Sequence, residues 1–275
     1  MKQRILTAAV MLAVFIPILI FSHLVVYPLA MAILAAIATF ELLRCLGLHR
    51  DPLLAVAASL PAALSLLAFW ADSPVAHLAS IAAAFFLLAL YLFATAVFRP
   101  GRVTYGALMG ILGGSFYIAV AFSAMVLLRG MAGGAYLFLL PLVGAWVTDT
   151  FAYFTGRFLG KHKLAPVISP KKTVEGSVGG IVAAVLVFVL YGLILRRGGY
   201  VPNYWALALA GLLLSVVSQI GDLALSAVKR EYGVKDYGRL FPGHGGVLDR
   251  FDSVIATAPL LLFFVMLGSG FSLFT

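Results

Sequence analysis

Residues Ile5–Leu43 read ILTAAVMLAVFIPILIFSHLVVYPLAMAILAAIATFELL, and the length of this apolar run decides the fold class. A helix that crosses a bilayer needs roughly 20 mainly apolar residues, so one helix over the whole run would overshoot it. We split the run at Ser22-His23 into two spans, with Pro17 and Pro28 tolerated as kinks. Lys2 and Arg4 ahead of the run give it the look of a signal sequence. No small-x-small cleavage pattern follows, so the first span reads as retained. Read outward by charge breaks, Gly and Pro, the chain offers spans near 4–21, 25–43, 52–70, 76–98, 105–128, 134–155, 174–195, 203–228 and 250–273. The expected fold is all-α: a polytopic integral membrane protein of about nine transmembrane helices.

Composition points the same way. Hydrophobic residues make up 63% of the 275 and charged residues 11%, against roughly 45–50% and about 25% in soluble domains. So few charges cannot cover a water-facing surface. The lone Cys45 excludes an intrachain disulfide and any CxxC metal or redox motif. The net charge of +9 is read as a signal of orientation, not of nucleic acid binding.

With a cytoplasmic N-terminus, one side of the membrane receives Lys2, Arg4, Arg44, Arg50, Arg99, Arg102, Arg157, Lys161, Lys163, Lys171, Lys172, Lys229, Arg230, Lys235, Arg239 and Arg250. The other side keeps only Arg129, Arg196 and Arg197, so the 19 basic residues divide sixteen to three. That asymmetry implies N-in, C-out and an odd number of spans. Two longer cytoplasmic loops stand out, near 157–173 and 229–249. We therefore expect an N-terminal transmembrane scaffold of about five helices over 1–130, nearly free of polar residues within its spans, and a C-terminal catalytic region over 131–275.

The chemistry lies in that second half. Asp149, Asp222, Asp249 and Asp252 each sit in or at the end of an apolar span, where a carboxylate is costly unless paired, metal-bound or facing a wet cavity. Around Asp222 the strongly polar residues Ser215, Ser218, Gln219, Ser226 and Lys229 recur at steps of three and four, one helical face in an otherwise apolar helix. Such a face lines a cavity or forms an interhelical hydrogen-bond seam. Asp149 shares a face with Trp146, Tyr153 and Gly156, and Asp249 with Asp252. Several carboxylates at one aqueous mouth suit a hard cation such as Mg²⁺; a second cation such as K⁺ is left open.

The loops carry the complementary charge. In Ser169-Pro170-Lys171-Lys172-Thr173, Ser can cap and Pro can take the first helical position, which would stand both lysines at an anion-attracting helix start. A basic cluster against anionic lipid is the competing reading. The second loop sets Gly233, Gly238, Gly243, Gly245 and Gly246 among Lys229, Arg230, Lys235, Arg239 and Arg250. Pro242-Gly243-His244-Gly245-Gly246 suits a phosphate wrap, with His244 functional, though it is not a Walker A loop.

Gly221-Asp222-Leu223-Ala224-Leu225-Ser226-Ala227-Val228-Lys229-Arg230, then Lys235-Asp236, then Pro242-Gly243-His244-Gly245-Gly246-Val247-Leu248-Asp249-Arg250-Phe251-Asp252-Ser253, resembles the signature of phosphatidate cytidylyltransferases. Ser169–Gly176 resembles that family's second segment. Asp149-Thr150-Phe151-Ala152-Tyr153 with Gly156, Arg157 and Gly160 resembles a third. The resemblance covers roughly residues 145–255. It implies that CTP and phosphatidic acid give CDP-diacylglycerol and pyrophosphate, within phospholipid biosynthesis, at the cytoplasmic face of a bacterial inner membrane. Asp222 and Asp249, helped by Asp149 and Asp252, are then expected to hold Mg²⁺. Lys171, Lys172, Lys229, Arg230, Lys235, Arg239 and Arg250, with Gly243, Gly245 and Gly246, take the phosphates, and Ser226 and His244 are further catalytic candidates. A homodimer is left open, and no nucleic acid partner is expected.

Three rival readings fit the sequence less well. A phosphotransferase that consumes CDP-diacylglycerol would show Asp-Gly-x-x-Ala-Arg, which is missing here, and a membrane prenyltransferase would need a second Asp-rich motif on another helix. A cation transporter also uses intramembrane carboxylates, but has no need of the Gly/Lys/Arg loop.

Overall fold

The computed structural model describes residues 2–70, 73–101, 103–267 and 272–275, without the side chains of residues 2–5 and 65. Arg102, the side chains of Lys2 and Arg4, and positions 268–271 of the last expected span lie outside the described residues. The helices are α1 (Lys2–Ile20), α2 (Val26–Cys45), α3 (Pro52–Ala63, continued by a 3-10 turn Leu64–Trp70), α4 (Pro74–Phe98) and α5 (Tyr105–Gly130). There follow α6 (Gly134–Leu137), α7 (Leu140–Leu159), α8 (Val174–Arg197), α9 (Tyr204–Glu231) and α10 (Leu248–Leu267). Among the described residues, eight helices are long and apolar enough to cross a membrane, and Leu6–Ile20 is a shorter apolar helix. The long first run breaks between Ile20 and Val26, around the expected Ser22-His23.

The chain divides into two compact units. Unit 1 comprises residues 1–132 and 232–251, and unit 2 comprises 133–231 and 252–275. In unit 1, α5 is the core helix, buried without a break from Ile118 to Leu128. Tyr27 on α2 is fully buried against it and donates its hydroxyl to the Met125 carbonyl at 3.2 Å. The second loop of the sequence belongs to this unit: Thr7 Oγ1 of α1 donates to the Pro242 carbonyl at 3.0 Å.

Unit 2 is built on α7, α8 and α9. Glycines on one face of α8 let α7 come close: a Cβ at Gly176 would sit 2.6 Å from the Ala152 carbonyl oxygen, and one at Gly180 2.9 Å from that of Thr148. With lipid tails as apolar as leucine, close backbone approach of this kind is what holds membrane helices together.

One local expectation is corrected. Ser169–Thr173 is not the first turn of a helix but strand β2, paired antiparallel with β1 (Lys163–Ala165). The helix begins one step later, because extended, β-branched Thr173 is the cap: its Oγ1 accepts the Gly176 N–H at 3.1 Å. Glu175 in the first turn accepts the Lys161 N–H at 3.0 Å and the His162 N–H at 3.2 Å, which fastens the hairpin to the helix. Lys171 and Lys172 therefore stand on a strand that precedes the helix. The small sheet, with isolated antiparallel bridges at Pro202–Phe274 and Phe241–Gly245, departs from an all-α chain.

Candidate functional site

The polar face of α9 splits into two halves with different tasks. In the first, Thr148 Oγ1 of α7 donates to Ser215 Oγ at 2.8 Å, and Gln219 Nε2 donates to the Ser177 carbonyl of α8 at 3.4 Å. Ser215, Ser218 and Gln219 are all buried. This half is an interhelical seam, the alternative that periodicity alone left open.

The second half carries charge. Asp222 Oδ2 forms an ion pair with Lys172 Nζ of β2, and Asp222 Oδ1 accepts the Ser226 hydroxyl one turn on at 3.2 Å. Lys229 continues the face and is only 8% exposed. Asp252 is within electrostatic reach of Asp222, Asp149 and Lys229. Ser253 ties its neighbours together: its N–H donates to Asp252 Oδ1 at 2.8 Å and its hydroxyl to Asp149 Oδ2 at 3.4 Å. Arg230 turns the other way and donates Nε–H to the Ile168 carbonyl in the hairpin turn at 3.3 Å. Lys171 is exposed.

Unit 1 holds the glycine-rich loop. Phe241-Pro242-Gly243-His244 closes a tight turn, with the His244 N–H donating to the Phe241 carbonyl at 2.8 Å and Gly243 at φ 77°. Pro second and a positive-φ Gly third are the residue types of a type II turn. Gly245, at φ 90°, also donates to the Phe241 carbonyl, at 3.1 Å. Asp249 Oδ2 accepts three backbone N–H groups: Tyr237 at 2.8 Å, Gly246 at 2.9 Å and Gly238 at 3.4 Å. In this arrangement the amides of Gly245 and Gly246 are engaged inside the loop instead of aimed outward at a phosphate, and this oxygen of Asp249 holds the loop together. Lys235, Arg239 and Arg250 are exposed, and His244 is half-buried, its Nδ1 without a hydrogen-bond partner among the described residues.

The sequence reading missed Glu41. It lies on α2 inside a span, only 5% exposed, and accepts the Val247 N–H at 3.1 Å and the Leu248 N–H at 2.8 Å. The signal was available: one carboxylate in an apolar span is costly, by the same reasoning that drew attention to Asp222.

Whether these residues fit a cation is a matter of donor chemistry and spacing. Asp149, Asp222 and Asp252, with the Ser226 and Ser253 hydroxyls, are hard oxygen donors of the kind that hold Mg²⁺. Lys172 already places a positive charge on Asp222. Among the described residues, no three His, Cys, Asp or Glu side chains are drawn together closely enough to form a ligand set. The donor chemistry suits a hard cation, but the described side chains do not by themselves make its ligand set.

A model of the cytidylyltransferase family matches residues 2–267. The phosphatidate cytidylyltransferase of Bacillus subtilis is 37% identical over 283 residues, covering 98% of this chain and 99% of the relative. Those of Staphylococcus haemolyticus and Staphylococcus saprophyticus are 36% and 38% identical, each covering 95% of this chain and 97% of the relative.

Proposed function

This chain belongs to the cytidylyltransferase family, as a phosphatidate cytidylyltransferase of phospholipid biosynthesis, and from that premise we propose that the charged half of the α9 face is its reaction centre. The observation that carries the reading is the cluster that Lys172 of β2 makes with the face of α9 bearing Asp222, Ser226 and Lys229. There a lipid phosphate and a nucleotide triphosphate can be brought together at the membrane boundary.

The reaction joins a phosphatidate oxygen to the α-phosphorus of CTP and breaks the bond to pyrophosphate. Phosphatidate supplies its own nucleophile. A phosphate monoester has a second pKa near 6 and is largely dianionic at neutral pH, so little general-base help is needed. The main obstacle is repulsion between two polyanions. Lys172 and Lys229, with Lys171, offset it, and Arg230 of α9, Lys235 and Arg239 of the glycine-rich loop and Arg250 of α10 serve the same reaction. Holding both reactants in line removes most of the entropic cost of their encounter. Asp222, with Asp149 and Asp252 as further carboxylates, would hold Mg²⁺ only together with substrate phosphate oxygens, and the ion would neutralise charge on the triphosphate and on the departing pyrophosphate. Ser226 orients the Asp222 carboxylate by its hydrogen bond. We place this surface on the cytoplasmic side, where CTP is, in agreement with the sixteen-to-three division of basic residues.

The test is turnover. Purified protein in phosphatidate-containing vesicles with Mg²⁺ and labelled CTP should form labelled CDP-diacylglycerol only when both substrates are present. Cation flux without nucleotide turnover would establish the transporter reading in its place.

A further inference from the structure

The carboxylate of Glu41 occupies an unusual position within unit 1. The first N–H groups of a helix have no partner inside it, and where they are buried no water replaces one. Val247 and Leu248 carry such groups at the start of α10, and Glu41 accepts both, at 3.1 Å and 2.8 Å, from a helix 206 and 207 residues earlier. A negative charge at a helix N-terminus is also favourable to the helix dipole. The same carboxylate fills the space left by two missing side chains: a Cβ at Gly238 or at Gly246 would overlap it. Those two glycines donate their N–H groups to Asp249 Oδ2. The glycine-rich loop is thus clamped between two carboxylates, Glu41 against its Cα atoms and Asp249 on its amides.

We infer that Glu41 is a positioning residue for cytidylyl transfer, which sets the loop from Tyr237 to Leu248 and the first turn of α10 in the shape the reaction uses. The inference rests on the reading above, in which the cations of that loop serve the reaction, and it assigns them to the CTP phosphates. Only a carboxylate does this job. Glutamine has the same shape but one acceptor, so its NH₂ would face a backbone N–H and leave a buried donor unsatisfied. Aspartate keeps the charge and falls a methylene short.

The experiment compares Glu41→Gln with wild type in detergent micelles by three readouts: substrate kinetics per folded molecule, thermal melting, and backbone hydrogen exchange. We expect kcat/KM for CTP to fall about tenfold or more, as for a buried donor left unpaired. KM for phosphatidate should stay within about twofold, and exchange should quicken over residues 237–248, with global melting little changed. Unchanged exchange in that segment would show that Glu41 does not hold the loop and would overturn the inference. Faster exchange with unchanged CTP kinetics would overturn it differently, by showing that the loop does not serve CTP. If Glu41→Gln does not fold, Glu41→Asp decides by the same measurements: wild-type kinetics and exchange would rule the role out.

Discussion

Lys172 on β2 and Asp222 on α9 form an ion pair in which neither side chain is fully buried, 27% and 22% exposed. The lysine arrives on a strand, before the helix whose start it was expected to occupy, and that placement gives the two adjacent lysines separate roles. Lys172 is paired with Asp222, whereas Lys171 is exposed and free to meet a polyanion from solution.

Single replacements should separate them. Lys171→Gln should raise KM for CTP several-fold with little change in kcat, the loss of one charge-assisted contact. Lys172→Gln should lower kcat as well, because Asp222 loses its partner. Equal effects of the two substitutions in steady-state kinetics would argue against this division.

Asp222→Asn keeps the size of the side chain and removes its charge. Turnover should fall below about a tenth of wild type, the usual scale for losing a metal-holding group. The protein should remain folded and membrane-inserted by size-exclusion and melting. Raising Mg²⁺ should not restore it. Substantial activity in this variant would move the cation elsewhere.

The seam half of α9 predicts the opposite pattern. Thr148→Val removes the 2.8 Å hydrogen bond to Ser215. Such bonds between membrane helices are worth about 0.6 kcal/mol on average. The expected result is a small loss of melting temperature with kcat and both KM values near wild type.

Orientation can be read by labelling. In a Cys45→Ala background, cysteines at the exposed positions Lys171 and Lys235 should react with an impermeant reagent only from the cytoplasmic side. Reaction from outside intact cells at either position would overturn the topology and the access route for CTP together.

The order of bond making follows from what surrounds Ser226. Its hydroxyl hydrogen-bonds to Asp222, a carboxylate already paired with Lys172, and this is not the base of an activated nucleophile. Direct displacement through a ternary complex is expected, with inversion at the α-phosphorus. Enzyme, Mg²⁺, CTP and labelled pyrophosphate without lipid should give no labelled CTP, and Ser226→Ala should keep measurable turnover. Exchange at a rate comparable to turnover would indicate a cytidylyl-enzyme.

The sequence by itself determined the spans and the site's main helix, because both are local properties. Apolar length sets a membrane helix, and steps of three and four set the face that carries Asp222, Ser226 and Lys229. What only the tertiary structure decided are the partners, since a hydrogen bond between distant residues leaves no period in the chain. Ser215 and Asp222 lie on the same stripe, yet one meets Thr148 and the other Lys172. Asp249 was legible as a costly carboxylate, but the loop amides it holds were not, because they come from a turn whose path its glycines permit and do not dictate. Glu41 was the one carboxylate in a greasy helix until folding set it against Val247 and Leu248, where the buried, otherwise unpaired amides of a helix start require an acceptor.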